Sequence, residues 1–288
     1  MPVGTRLEET ARRFAQIQQE IRDIIPPEEI AAIADNIGLP VSGINMTYSN
    51  TGTIGPQDGD IQVALVKGHR PTADYVAELR ERLPRAFPEV TFSFLPADIV
   101  SQILNFGAPA PIDVQVRGPT AAANYAYAHD LLRQIRGIPG VADARIQQSR
   151  RYPALQVDLD RARAQQVGVT ARDVTNNLLI ALAGSSQGAP TFWLNPAHGV
   201  SYAIAAQVPQ YRLDSLADLA SLPVSRGGGV PSLDGIATIS RGTTDAVISH
   251  RDIMPVVDIF ATPEGRDLGA VAAAIERVVA ASAERAPK

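Results

Sequence analysis

Four histidines, three methionines and no cysteine make up the chain's whole supply of soft or borderline metal ligands. His69, His129, His198 and His250 stand far apart, no HExxH or HxH spacing brings two imidazoles together, and no thiol exists to complete a zinc site. Met1, Met46 and Met254 are too few for the thioether relay that a soft-metal carrier needs, which argues against that chemistry. Nucleophile-elbow, Walker and dinucleotide-binding motifs are absent. The triplet Gly227-Gly228-Gly229 falls in a predicted hairpin rather than opening a helix, so it reads as turn chemistry. Enzymatic catalysis and a bound cofactor therefore have no support in these residues. The sequence does offer apolar and aromatic side chains at breaks in regular structure: Leu39 and Tyr48 in a long loop, Phe92 and Phe94 on one strand face, and Phe106 in a linker. A cleft between two units, lined by such side chains and a few polar ones, makes an adaptable hydrophobic site. For Phe92 and Phe94 the same alternation equally fits the core face of a half-buried strand.

The elements that must position these residues fall into two similar sets. Leu7, Ala11, Phe14, Ile17, Ile21 and Ile24 recur at helical spacing behind a Thr5-x-x-Glu8 capping box and stop at Pro26 and Pro27. A strand at 30–33, a Gly/Asn/Ser-rich loop over 35–58, a strand at 60–66, a helix capped by Thr72 and a strand at 90–94 follow. Loops of that length inside compact domains are uncommon and often functional. After a linker at 96–111 the same grammar returns: strand 112–116, helix 121–135, strand 141–146, then strand 154–159 read as its hairpin partner, and far downstream strand 255–260 and helix 267–283. Both sets read as ferredoxin-like split βαβ units, the first without its opening strand and the second without its closing one. The fold class is α+β, with divisions at 1–97, at 98–159 plus 244–288, and an inserted α+β segment at 160–243 that opens on Asp160 and a Thr170/Asp173 capping box.

Size and charge exclude several classes. A chain of 288 residues can hold two or three small domains. Its 26 basic and 30 acidic residues leave a net charge of −4 with no block of like charge, so a nucleic-acid partner is not indicated. No apolar run approaches a membrane span and the N-terminus lacks the apolar core of a signal peptide, so the expectation is a soluble piece that membrane segments elsewhere deliver to its compartment.

The run IPGVADARI at 138–146, followed by PALQVDLDRARAQQVGVTARDV at 153–174, resembles the porter-to-docking junction of resistance-nodulation-cell division (RND) efflux pumps. FLPADIVSQILNFG at 94–107 resembles the second periplasmic loop of such pumps, of the hydrophobe/amphiphile type, and the likeness covers nearly the whole chain. The resemblance implies two porter subdomains with a docking subdomain at 160–243, in the periplasmic portion of a Gram-negative inner-membrane protein. It further implies a proton-driven multidrug transporter that works as a homotrimer, with a periplasmic adaptor protein and an outer-membrane channel, exporting small amphiphilic substrates by alternating access. Leu39, Tyr48, Phe92, Phe94 and Phe106 then border the drug pathway, and Arg145 matches a position that is basic and cleft-facing in some members. The rival readings are a non-catalytic scaffold of ferredoxin-like units and a heavy-metal or lipid-exporting RND relative.

Overall fold

A computed structural model describes residues 1–39, 53, 55–96, 103–105, 108–185, 191–224 and 231–287. It contains two compact units: residues 1–153 with 244–288, and residues 154–243.

The first unit begins with α1 (Leu7–Ile24), whose Phe14, Ile17, Ile21 and Ile24 form one buried stripe. The Thr5/Glu8 capping box does not form. Arg6 occupies the N-cap position without a side-chain bond, and the Thr5 hydroxyl instead donates to the Pro2 carbonyl at 2.7 Å. Strands β1 (Ile30–Ile37) and β2 (Gly59–Leu65) pair antiparallel. β1 runs past the strand end read from the sequence, because pairing of Asp35 with Ile61 and Asn36 with Asp60 gives these turn-prone residues a ladder to join. Gly59 is required where β2 opens, since a Cβ there would lie 2.4 Å from the Asn36 carbonyl oxygen and 2.7 Å from the Phe14 ring. In α2 (Thr72–Ala86) Tyr75, Leu79 and Leu83 face inward; Thr72 is its first residue rather than its cap, and Pro71 stands at the N-cap. The stretch after it corrects the sequence reading. Residues 91–96 form no strand, yet Val90, Phe92 and Phe94 still pack against the α1/α2 core, so the alternation there reported burial rather than pairing.

Next come β3 (Ile112–Arg117), α3 (Ala121–Arg136) and β4 (Val141–Ile146). Asn124, fully buried in α3, donates from Nδ2 to the carbonyls of Gly118 and Pro255 at 2.9 Å each, which fixes the helix to both strand ends. The expected hairpin of β4 with β5 (Tyr152–Leu159) is absent. The polar run 147–151 does not turn back; the Gln147 N–H bonds the Asp258 carbonyl, and buried Gln148 accepts the Asp258 N–H at 2.8 Å. β4 therefore pairs elsewhere, and β5 belongs almost wholly to the second unit, where it finds its partner.

That unit holds α4 (Arg161–Gln166), α5 (Ala171–Ala183), strands β6 (Thr191–Leu194) and β7 (Ser201–Ile204), α6 (Leu216–Ala220), α7 (Leu233–Ile236) and β8 (Ala237–Thr244), the partner of β5. Three of the four helix starts named here are capped by side chains. Asp160 accepts from the Ala162 and Arg163 N–H groups, and reciprocal capping boxes form at Thr170/Asp173 and Ser215/Asp218. Val169, Val174, Leu219, Leu222, Val224, Leu233 and Ile236 make its core. The Gly227–Gly229 hairpin lies outside the described residues, although Pro223 and Ser232 on its flanks are bridged. β6 and β7 form an antiparallel ribbon that exposes Phe192, Trp193, Leu194, Tyr202 and Ile204.

The chain returns to the first unit through β9 (Ser249–Arg251), β10 (Met254–Pro263) and α8 (Leu268–Ser282), which Asp267 caps. β10 is central in the order β3-β10-β4 and also pairs with β9, all antiparallel. Its Val257, Ile259 and Ala261 alternate onto the cluster formed with Val116, Leu131, Ile135, Val271 and Ile275 beneath α3 and α8. Ile259 is fully buried there. Ile259→Ala is expected to cost about 2–5 kcal/mol, read as a lower denaturant midpoint and as lost hydrogen-exchange protection of the α3 and β10 amides; unchanged protection would mean that β10 is not the centre of this core.

Candidate functional site

The last turn of α2 and the segment after it face β4 across a cleft of about 440 Å³. Pro84, Val90, Thr91 and Phe92 line one side, and Arg136, Val141, Asp143, Ala144 and Arg145 the other. Local sequence explains both walls. Burial of Phe87 and Leu83, with Val90 and Phe92 packed beside them, folds the first wall down onto the α1/α2 core. On the second wall the register of β4 against β10 slips between Phe260 and Thr262, and Asp143 at the slip takes a left-handed φ of 53°.

That bulge delivers Asp143 to a buried ion network. Its carboxylate accepts from Arg80 Nη2 at 2.5 Å and Nε at 3.3 Å, and from the Phe94 N–H at 3.2 Å. Arg80 Nη1 donates to Glu264 Oε1 at 2.9 Å, while the guanidinium stacks 5.2 Å from the Phe94 ring centroid. The side chain of Asp143 is 6% exposed and that of Arg80 16%, so both charges lie largely out of water. Burial alone lowers the Arg80 pKa, but the bonds and charges of Asp143 and Glu264 outweigh it and hold it above the ordinary arginine value. Four positions distant in sequence, 80, 94, 143 and 264, are thereby joined.

Arg145 and Arg136 are placed differently. Arg145 is half-buried; among the described residues it donates only to the Asp143 backbone carbonyl, at 3.3 Å, and it sits 5.6 Å from the centroid of Phe260. Burial pulls its pKa below the ordinary value, with the charge of Asp143 opposing. Arg136 donates from Nε and Nη2 to the Ala144 carbonyl.

Of the residues singled out from the sequence, Phe92 and Arg145 line this cleft, and Phe94 lies against it through Arg80 and Asp143. Leu39 is exposed just past the end of β1 and does not line the cleft; Tyr48 and Phe106 lie outside the described residues. Arg80, Arg136, Asp143 and Glu264 escaped sequence reasoning. The one available signal was Asp143 itself, a charge set between Ala142 and Ala144 in a strand whose other charge is Arg145. Among the described residues no three His, Cys, Asp or Glu side chains gather as a metal site, and no helix is long and apolar enough to cross a membrane.

This arrangement of helices on sheets defines the class of protein. Two crystal forms of a heavy metal efflux pump share the fold, with TM-scores of 0.76 and 0.73 at 19% and 20% identity, covering all of this chain and 29% and 28% of the pump chain. The model of the AcrB/AcrD/AcrF family matches residues 1–284, and the chain belongs to that family of RND efflux pumps. Among curated relatives, the cation efflux system protein CusA of Escherichia coli (strain K12) is 25% identical over 187 residues, 64% of this chain and 17% of CusA. The cobalt-zinc-cadmium resistance protein CzcA of Cupriavidus metallidurans is 26% identical over 141 residues, 47% of this chain and 13% of CzcA. The chain thus spans under a fifth of these relatives, and the relatives named are cation pumps, whereas the sequence reading put the amphiphile type first.

The ion network gives a direct test. Arg80→Met strands the Asp143 carboxylate out of water and is expected to cost about 3–5 kcal/mol, whereas adding Asp143→Asn, a residue that tolerates the left-handed φ, should recover much of the loss. Urea unfolding of both single variants and the pair forms the cycle; additive effects would show that the two side chains are not coupled.

Proposed function

We propose that this chain is the substrate-handling periplasmic portion, the second periplasmic loop, of a proton-driven RND efflux transporter. Residues 1–97 and residues 98–159 with 244–288 act as ferredoxin-like porter units, and residues 160–243 as the docking unit. The observation that carries this reading is the cleft itself: within the first unit, a wall of Pro84, Val90, Thr91 and Phe92 stands opposite β4, with room for a small molecule and a mixture of apolar and charged lining. Work is done by binding and movement, with no covalent chemistry. The cleft widens and narrows as its walls shift about the Arg80–Asp143 tie, while protons are coupled by membrane segments outside this sequence. Leu39, Tyr48, Phe94 and Phe106 extend the pathway beyond the cleft. The exposed apolar ribbon of β6 and β7 supports assembly with further copies into a homotrimer, which an adaptor and an outer-membrane channel extend across the envelope.

The cargo is a small amphiphile. Val90, Phe92 and Val141 offer it an apolar surface, and the nearest cations, Arg136 and Arg145, repel a bare metal ion. A second reading, export of heavy-metal cations, is favoured by the names of the curated relatives.

Fluorescence titration separates the two. The uncharged dye N-phenyl-1-naphthylamine should bind the chain saturably, with a dissociation constant on the order of micromolar, and Thr91→Trp, which fills the cleft from an exposed position, should weaken it at least about tenfold. Saturable binding of Cu(I) or Zn(II) by the unmodified chain, with no dye binding, would assign it to the metal exporters.

A further inference from the structure

Charge around the cleft is unbalanced. Its one lining carboxylate among the described residues, Asp143, is committed to Arg80 and the Phe94 N–H, and Glu264 takes the remaining side of Arg80. Against this closed set stand Arg136 and Arg145, both lining the cleft and neither in an ion pair among the described residues. Counting all five groups leaves one positive charge in excess.

Arg145 carries the argument. A guanidinium has five N–H donors in a planar fork, and among the described residues Arg145 uses one, on the Asp143 carbonyl. It is also partly withdrawn from water, with the face of Phe260 against it. A half-desolvated cation without a counter-ion is a costly arrangement in a folded protein unless something else supplies the negative charge. Among the described side chains Asp143 acts on it through space, but that carboxylate is bonded to Arg80 and forms no ion pair with Arg145. Its open donors belong to a residue that lines the same space as Phe92, Val90 and Val141, so an anion held there would have apolar surface within reach of its body.

Resting on the efflux reading above, we infer that the cleft selects amphiphiles bearing one carboxylate, with the anion held by Arg145, Arg136 beside it, and the apolar body against Phe92 and Val141. Planar, bidentate pairing of guanidinium with carboxylate is the strongest form of this contact and discriminates an acid from an alcohol of the same shape. Arg136 already gives two donors to Ala144 and adds mainly charge.

The test uses the full 288-residue chain and a matched pair of fluorescent probes, 1-pyrenebutyrate and uncharged 1-pyrenebutanol, titrated at low and at physiological salt. Unmodified protein should bind the carboxylate about tenfold more tightly than the alcohol, with a gap that narrows as salt rises. Arg145→Gln should bring the ratio of the two affinities to about one, and Arg145→Lys, which keeps the charge but loses the fork, should leave an intermediate ratio; thermal melting of each variant confirms that it folds. Equal affinities in the unmodified protein, or a preference that survives both Arg145→Gln and Arg136→Gln, would overturn the anion selectivity while leaving an amphiphile cleft in place. Failure of both probes to bind would overturn the cleft reading and this inference together.

Discussion

The bond between Arg80 and Asp143 is the constraint on which the first unit depends. Each side chain comes from a region with its own hydrophobic cluster, α1 and α2 on one side and the β3-β10-β4 sheet with α3 and α8 on the other. Neither charge can be left alone at its depth, so the two regions are obliged to meet in one register. Asp143 accepts an uncommon backbone conformation to make that meeting, and the Phe94 N–H joins it, which brings the chain after α2 along β4. The cleft is what remains open beside this junction.

Such a junction serves specificity of arrangement more than bulk stability. Apolar residues of similar size would hold the two regions at comparable or lower free energy, but they would permit many relative placements. A charge held by Glu264 on one side and Asp143 on the other fixes direction as well as contact. On the proposed efflux reading, this suits a site whose cargo is accommodated loosely while its frame is not.

Much of the fold was legible because its signals are local. The stripe of Phe14, Ile17, Ile21 and Ile24, the stop at Pro26 and Pro27, and the caps at Asp160 and Thr170 each act within a few residues. The errors arise where distant partners decide. Alternation over Val90, Phe92 and Phe94 reported a buried face but could not say whether a strand lay alongside. The polar run 147–151 looked like a turn because the sequence does not reveal that Asp258 would engage Gln147 and Gln148 and carry the chain straight on. Thr5 was spaced to cap α1 but bonds backward to Pro2. For the cleft, aromatic residues pointed to Phe92, and family likeness to Arg145; Arg80 and Glu264 are ordinary surface types in the sequence and acquire meaning only when the fold sets Arg80 between Asp143 and Glu264.

The missing ladder at 91–96 makes the cleft mechanically lopsided. β4 is sewn along β10, itself wedged against β3 and β9, so that flank behaves as a stiff plate whose bending would break several backbone bonds at once. The opposing flank is held by the packing of Val90, Phe92 and Phe94, the Arg80 guanidinium on the Phe94 ring and the Phe94 amide on Asp143, with no strand pairing over 91–96. Side-chain packing yields by rotamer changes in small increments, whereas a hydrogen-bonded sheet resists until it fails. Compliance therefore belongs almost wholly to the aromatic flank: on the proposed efflux reading it moulds itself to cargoes of different girth, like a soft jaw closing on a rigid anvil, while the charged flank keeps a constant shape from one cargo to the next.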